Sequence, residues 1–138
     1  MKRYFVTAIG TDSGKTVISA ILCRALQADY WKPVQAGRPT DSDWIRTVIK
    51  TKVHPESYML NTPASPHYAA KVDDVRIDMD GFAYPKTSRN LIIEGAGGML
   101  VPLNEEDKVI DLATWFDAEL ILVCDIYLGS INHSLLSI

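Results

Sequence analysis

With 138 residues, 47% of them hydrophobic and 22% charged, the chain fits one folded domain and excludes a disordered segment. Its net charge of −3, without any block of like charge, offers no basic face and so argues against a nucleic-acid partner. No stretch approaches the roughly 20 apolar residues that cross a membrane. The short apolar run after Lys2 and Arg3 leads straight into a glycine turn, so it reads as a strand rather than a secretory leader. Cys23 and Cys124 lie inside apolar runs and are expected to be buried free thiols, which suits a reducing cytoplasm.

In chain order, residues 2–8 read as a strand through Tyr4, Phe5, Val6 and Thr7. The turn Ile9-Gly10-Thr11-Asp12-Ser13-Gly14-Lys15-Thr16 follows, and residues 17–26 then carry apolar side chains at helical spacing. Strand, glycine turn, Gly-Lys-Thr and helix form the setting of a phosphate-binding loop. Glycines let successive N–H groups turn into one concavity, and the helix N-terminus adds its positive end. Lys15 would reach the outer phosphates, and the Thr16 hydroxyl would ligate magnesium. The strict pattern G-x-x-x-x-G-K-[ST] fails at its first position, where Ile9 stands and Gly10 comes one residue late.

Residues 30–34 predict a second strand, and residues 35–40 a loop rich in Gly and Pro. Asp41-Ser42-Asp43 offers caps to a helix over residues 44–50. Residues 55–66 are irregular, Ser65-Pro66 starts a short helix through Lys71, and residues 72–89 are weakly patterned. Residues 90–94 form an apolar run ending in Glu94 and followed by Gly95-Ala96-Gly97-Gly98, as in a buried parallel strand. Residues 109–116 have helical spacing, residues 119–125 are another buried strand, and a helix begins after Gly129. Trp31, Trp44 and Trp115 are expected in the core, and His54, His67 and His133 lack metal-ligand spacing. The last helical pattern reaches Ile138 without a stop signal, which predicts a longer natural protein.

Strands alternating with helices imply an α/β fold: a doubly wound parallel sheet of the P-loop NTPase kind, with helices on both faces. Ligands bind there outside the carboxyl ends of the strands, where the glycine loop, Lys32 and Glu94 all fall. Of the strand-end acids Glu94 and Asp125, Glu94 is the better magnesium ligand because the glycines after it admit a phosphate. Asp43 is a second candidate. A nucleotide-dependent enzyme, a small-metabolite kinase and a nucleotide-switch ATPase all remain open, although the kinase lacks the Arg-rich lid its chemistry needs.

Taken together and in order, Gly14-Lys15-Thr16, Trp31-Lys32-Pro33-Val34, Ser42-Asp43, Ser65-Pro66-His67, Glu94-Gly95-Ala96-Gly97-Gly98 and Leu128-Gly129-Ser130-Ile131-Asn132-His133 resemble dethiobiotin synthases along essentially the whole chain. The family's last third has no counterpart here. The resemblance implies a homodimeric cytoplasmic ligase acting on diaminopelargonic acid, carbon dioxide or bicarbonate, and ATP with Mg2+. A carbamate oxygen attacks the γ-phosphate, and the neighbouring amine then closes the ring with release of phosphate. It further implies that Lys15 and Lys32 are catalytic and that Thr16, Asp43 and Glu94 hold the metal. Asp12, Ser13, Gly14, Lys15, Thr16 and Val17 would cradle the phosphates, with Glu94, Gly95, Ala96 and Gly97 beside them. Thr11 and Ala36 would face the substrate, and Gly129, Ser130, Ile131 and Asn132 would reach its carboxylate from the other subunit. Two departures stand out: the altered loop start at Ala8, Ile9 and Gly10, and Ala36 where relatives carry a hydroxyl. The family's adenine-recognising loops lie in the segment without a counterpart.

Overall fold

The computed structural model describes residues 1–138. Its elements run β1 (Arg3–Ala8), α1 (Lys15–Ala25), β2 (Asp29–Trp31), β3 (Val34–Ala36), α2 (Asp41–Val48), β4 (Val53–His54), β5 (Tyr58–Leu60), α3 (Pro66–Val72), β6 (Leu91–Glu94), α4 (Asp111–Trp115), β7 (Glu119–Val123) and α5 (Ser130–Leu135). Five strands make the main sheet in the order β4-β2-β6-β1-β7, with every pairing parallel. β3 and β5 pair separately, also in parallel. No helix is long and apolar enough to cross a membrane.

The period of two along the strands divides the core into two layers. Val6, Tyr30 and Ile92 point to one face, where they meet Ala20 and Cys23 of α1 and Ile45 of α2. Phe5, Trp31, Leu91 and Ile93 point to the other, against Ala69 of α3 and Leu112 and Phe116 around α4. Trp31 is fully buried, with its ring 5.0 Å from that of Phe116. Helices therefore cover both faces of a parallel sheet. At the opposite end from the glycine loop, the buried Asp29 carboxylate accepts from Thr87 Oγ1 at 2.7 Å and pairs with His54 Nε2 at 3.0 Å. These bonds tie the long connection before β6 to the sheet.

Several elements differ from the sequence expectation. The strand over residues 30–34 is two strands that diverge at Lys32-Pro33. Pro33 has no N–H for a ladder, and its carbonyl accepts from Ser57 and Tyr58 instead, which starts the second sheet. α2 begins at Asp41 rather than Trp44, because Thr40 is its cap and accepts from Asp43 N at 3.1 Å. The last helix ends at Leu135. Trp44 and Trp115 are 41% and 52% exposed, since Ile45 on α2, and Leu112 with Phe116 around α4, take the inner positions. Cys124 is exposed, following an edge strand whose outer side pairs with nothing.

Gly37 follows β3 and extends its pairing with β5. It holds φ at +79°, and its N–H donates to Leu60 O. An added Cβ would lie 2.7 Å from Pro63 Cβ and 2.9 Å from Pro63 Cα. Gly37→Ala should therefore lose about 1–3 kcal/mol in thermal denaturation, through left-handed strain and the displaced proline. A midpoint equal to that of the parent would show that this contact is slack.

Candidate active site

Between β1 and α1 the chain first prolongs the strand, with Ile9 N donating to Val123 O at 3.1 Å. It then turns through two left-handed residues, Asp12 at φ +58° and Gly14 at φ +89°. Asp tolerates that region better than most side chains, and Gly enters it freely. From Thr11 to Val17 no backbone N–H donates to another backbone group; the first intrahelical bond is Ile18 N to Gly14 O at 3.0 Å. All of these residues line one cleft of about 690 Å³. A run of unbonded donors at the positive end of an 11-residue helix is a site for an anion. Gly10 is spatially relaxed, since a Cβ there would meet only Ser13 Oγ at 3.7 Å. The displaced glycine at the loop start therefore leaves the turn itself to Asp12 and Gly14.

Two strand-end groups, Glu94 and Lys32, converge on this loop. Glu94 closes β6 with its side chain fully buried. Its Oε1 accepts from Thr16 Oγ1 at 2.9 Å and from Lys32 Nζ at 3.1 Å, and its Oε2 accepts from the Tyr30 hydroxyl at 3.0 Å. Lys32 Nζ also lies 2.7 Å from Asp41 Oδ2. Burial alone would lower the Lys32 pKa, but Glu94 and Asp41 outweigh it and hold the ammonium above its ordinary value. Lys15 shows the opposite balance. Burial, and then the nearby Lys32 charge, push it below its ordinary value against the smaller pull of Glu94 and Asp41. Its Nζ donates to Gly10 O at 3.2 Å. A phosphate between the two ammonium groups would relieve their repulsion. Burial and the Glu94 charge raise the Tyr30 phenol, so it remains a donor.

The donor chemistry fits a hard divalent cation. Thr16 Oγ1, Glu94 Oε1 and Asp41 Oδ2 are all oxygens, and the Lys32 ammonium already lies against both carboxylates as a cation would. Two carboxylates and a hydroxyl leave room for phosphate oxygens, as magnesium sites do.

The cleft gathers most of the residues expected from the sequence: Thr11, the loop through Val17, Lys32, Ala36, Glu94, Ala96 and Gly97. Gly95 does not face it. A Cβ on Gly95 would lie 3.0 Å from Val109 Cγ1 and 3.1 Å from the Phe5 ring, so its smallness serves packing beneath the loop. Asp43 is not among the residues lining the cleft. Its carboxylate points to solvent and pairs with Arg46 at 2.8 Å, whereas Asp41 lines the cleft. Along an α-helix two residues are about 200° apart, so both aspartates cannot face one site. Gly129, Ser130, Ile131 and Asn132 do not line this cleft either, and Ile131 is 78% exposed.

Sequence reasoning passed over Tyr30 and Gln35. Gln35 is buried and accepts from Asp41 N at 3.1 Å, which steadies the start of α2. The available signal for Tyr30 was its place two residues before Lys32, on the same side of the strand.

A protein-family model described as an AAA domain matches residues 2–138. The chain is 60% identical to an ATP-dependent dethiobiotin synthetase of Cytophaga hutchinsonii, over 99% of the chain and 69% of that protein. It is 48% identical to the one of Christiangramia forsetii and 49% to the one of Afipia carboxidovorans, in each case over 99% of the chain and 68% of the relative.

Proposed function

The chain belongs to the family of ATP-dependent dethiobiotin synthetases, and from that premise we propose that it converts 7,8-diaminopelargonic acid, carbon dioxide and ATP into dethiobiotin, ADP and phosphate. The observation that carries this reading is the Lys32 ammonium, 2.7 Å from Asp41 and 3.1 Å from Glu94, beside a loop of unbonded N–H groups. Two anions, a carbamate and a triphosphate, must meet for this reaction, and cations must gather where they do.

In the proposed sequence an amine of the substrate takes up carbon dioxide and loses a proton to give a carbamate. A carbamate oxygen bonds to the γ-phosphorus as the bond to ADP breaks. The second amine then attacks the carbamoyl carbon and loses a proton, phosphate leaves with the bonding pair, and the ring closes. The N–H groups of residues 11–17 and the Lys15 ammonium hold the β- and γ-phosphate oxygens. Lys32 exchanges its carboxylate partners for the carbamate and the transferring phosphoryl group. Magnesium, held by Thr16, Glu94 and Asp41, would supply charge against the phosphate oxygens when bound.

Incubation with diaminopelargonic acid, bicarbonate, magnesium and ATP tests this. Phosphate release that depends on the diamine, with dethiobiotin detected by mass spectrometry, is the expected result. Release indifferent to the diamine would overturn it in favour of a nucleotide switch, and a phosphorylated, uncarboxylated product in favour of a kinase.

The choice of acid is tested separately. Asp41→Asn should raise the magnesium concentration for half-maximal turnover about tenfold or more, since a ligand charge is lost. Asp43→Asn should leave it unchanged. The reverse pattern would return the metal to Asp43.

A further inference from the structure

Tyr30 is fully buried in an apolar layer with Val6, Ala20, Cys23, Ile45 and Ile92. Phe would fill that space without a polar atom to satisfy, and a buried hydroxyl is costly unless bonded. The Tyr30 hydroxyl has one partner, Glu94 Oε2 at 3.0 Å. The other carboxylate oxygen, Oε1, takes the bonds from Thr16 and Lys32 at the cleft. The two ends of Glu94 are thus assigned different tasks: Oε2 is held inside the core, and Oε1 alone is presented.

We propose that Tyr30 is a positioning residue that makes Glu94 a one-oxygen ligand and thereby favours magnesium over calcium at this site. The inference rests on the metal-site reading above. Magnesium accepts single oxygens in a tight octahedron, whereas calcium is larger and takes carboxylates through both oxygens at longer distances. A carboxylate whose second oxygen is held by a phenol cannot turn to chelate. Partners one bond removed from a metal commonly change its affinity about 10–100-fold.

The test measures Mg2+ and Ca2+ binding by calorimetry, in the presence of a non-hydrolysable ATP analogue, for the parent, Tyr30→Phe and Tyr30→4-aminophenylalanine. Tyr30→Phe keeps the ring and should weaken Mg2+ about tenfold or more while weakening Ca2+ less, so that the preference narrows. Tyr30→4-aminophenylalanine keeps a donor at the ring end and should restore the preference, a rescue that mere packing would not produce. Circular dichroism confirms folding, and the aminophenylalanine variant carries the comparison if Tyr30→Phe does not fold. A folded Tyr30→Phe with the parent's Mg2+/Ca2+ ratio overturns the inference and leaves the metal site standing. So does a folded aminophenylalanine variant that has lost the preference. A parent that binds neither ion overturns both.

Discussion

Lys32→Met is expected to lower turnover about 10²–10³-fold while ATP affinity stays within a few-fold. The substitution keeps the buried stem and removes the charge from a residue only 4% exposed. The separation of kcat from nucleotide affinity follows from where the ammonium lies. It contacts Glu94 and Asp41 rather than the loop backbone, and in the proposed reaction it would act on the carbamate and the moving phosphoryl group. A second consequence concerns the metal. Without the ammonium, two carboxylates face each other with no counter-charge, and Glu94 is wholly buried. Removing one partner of a buried pair costs about 3–5 kcal/mol, so the variant should melt earlier and recover part of the loss when magnesium is added. A variant with the parent's kcat and no magnesium-dependent shift in melting would reduce Lys32 to a structural residue.

Lys15→Ala is expected to abolish measurable turnover and to weaken triphosphate binding about 10- to 100-fold, the worth of a charge-assisted bond of about 1.5–3 kcal/mol. Lys15 is only 7% exposed and lies at the start of α1 among backbone donors that no protein backbone group satisfies. Burial and Lys32 hold its pKa below the ordinary lysine value, and a phosphate beside it would favour the charged form. The loss should therefore appear in affinity as well as rate, in contrast to Lys32. Calorimetric titration with an ATP analogue and a phosphate-release assay separate the two lysines. Unchanged binding and rate in Lys15→Ala would remove the phosphate role from this loop.

The two lysines show how much was legible from residues alone. Gly14-Lys15-Thr16 between a strand and a helix already implied a row of free N–H groups, because the first turn of any helix has no carbonyls to receive them. Lys32 and Glu94 were legible as strand-end residues, because all strands of a parallel sheet end on the same side and their ligands gather there. Helices on both faces of the sheet were legible from strands alternating with helices, because each crossover between parallel strands must lie on one face or the other.

Contacts that depend on rotation or on a distant partner belonged to the tertiary structure. Asp41 and Asp43 are equivalent as sequence, and only the Thr40 cap, which starts α2 at Asp41, turns the first toward Lys32 and the second toward Arg46. The division of residues 30–34 needed the carbonyl of Pro33 to meet Ser57 and Tyr58, more than 20 positions away. Trp44 and Trp115 look like core by composition but lie outside, because the inner face of each helix was already filled. Tyr30 reads as one more strand aromatic until Glu94, 64 residues later, brings a carboxylate oxygen to its hydroxyl. Local pattern determines which residues reach the end of a strand or the start of a helix, through periods set by backbone geometry. Which of their atoms meet is decided by the angle at which separate elements pack, and that angle exists only in the assembled fold.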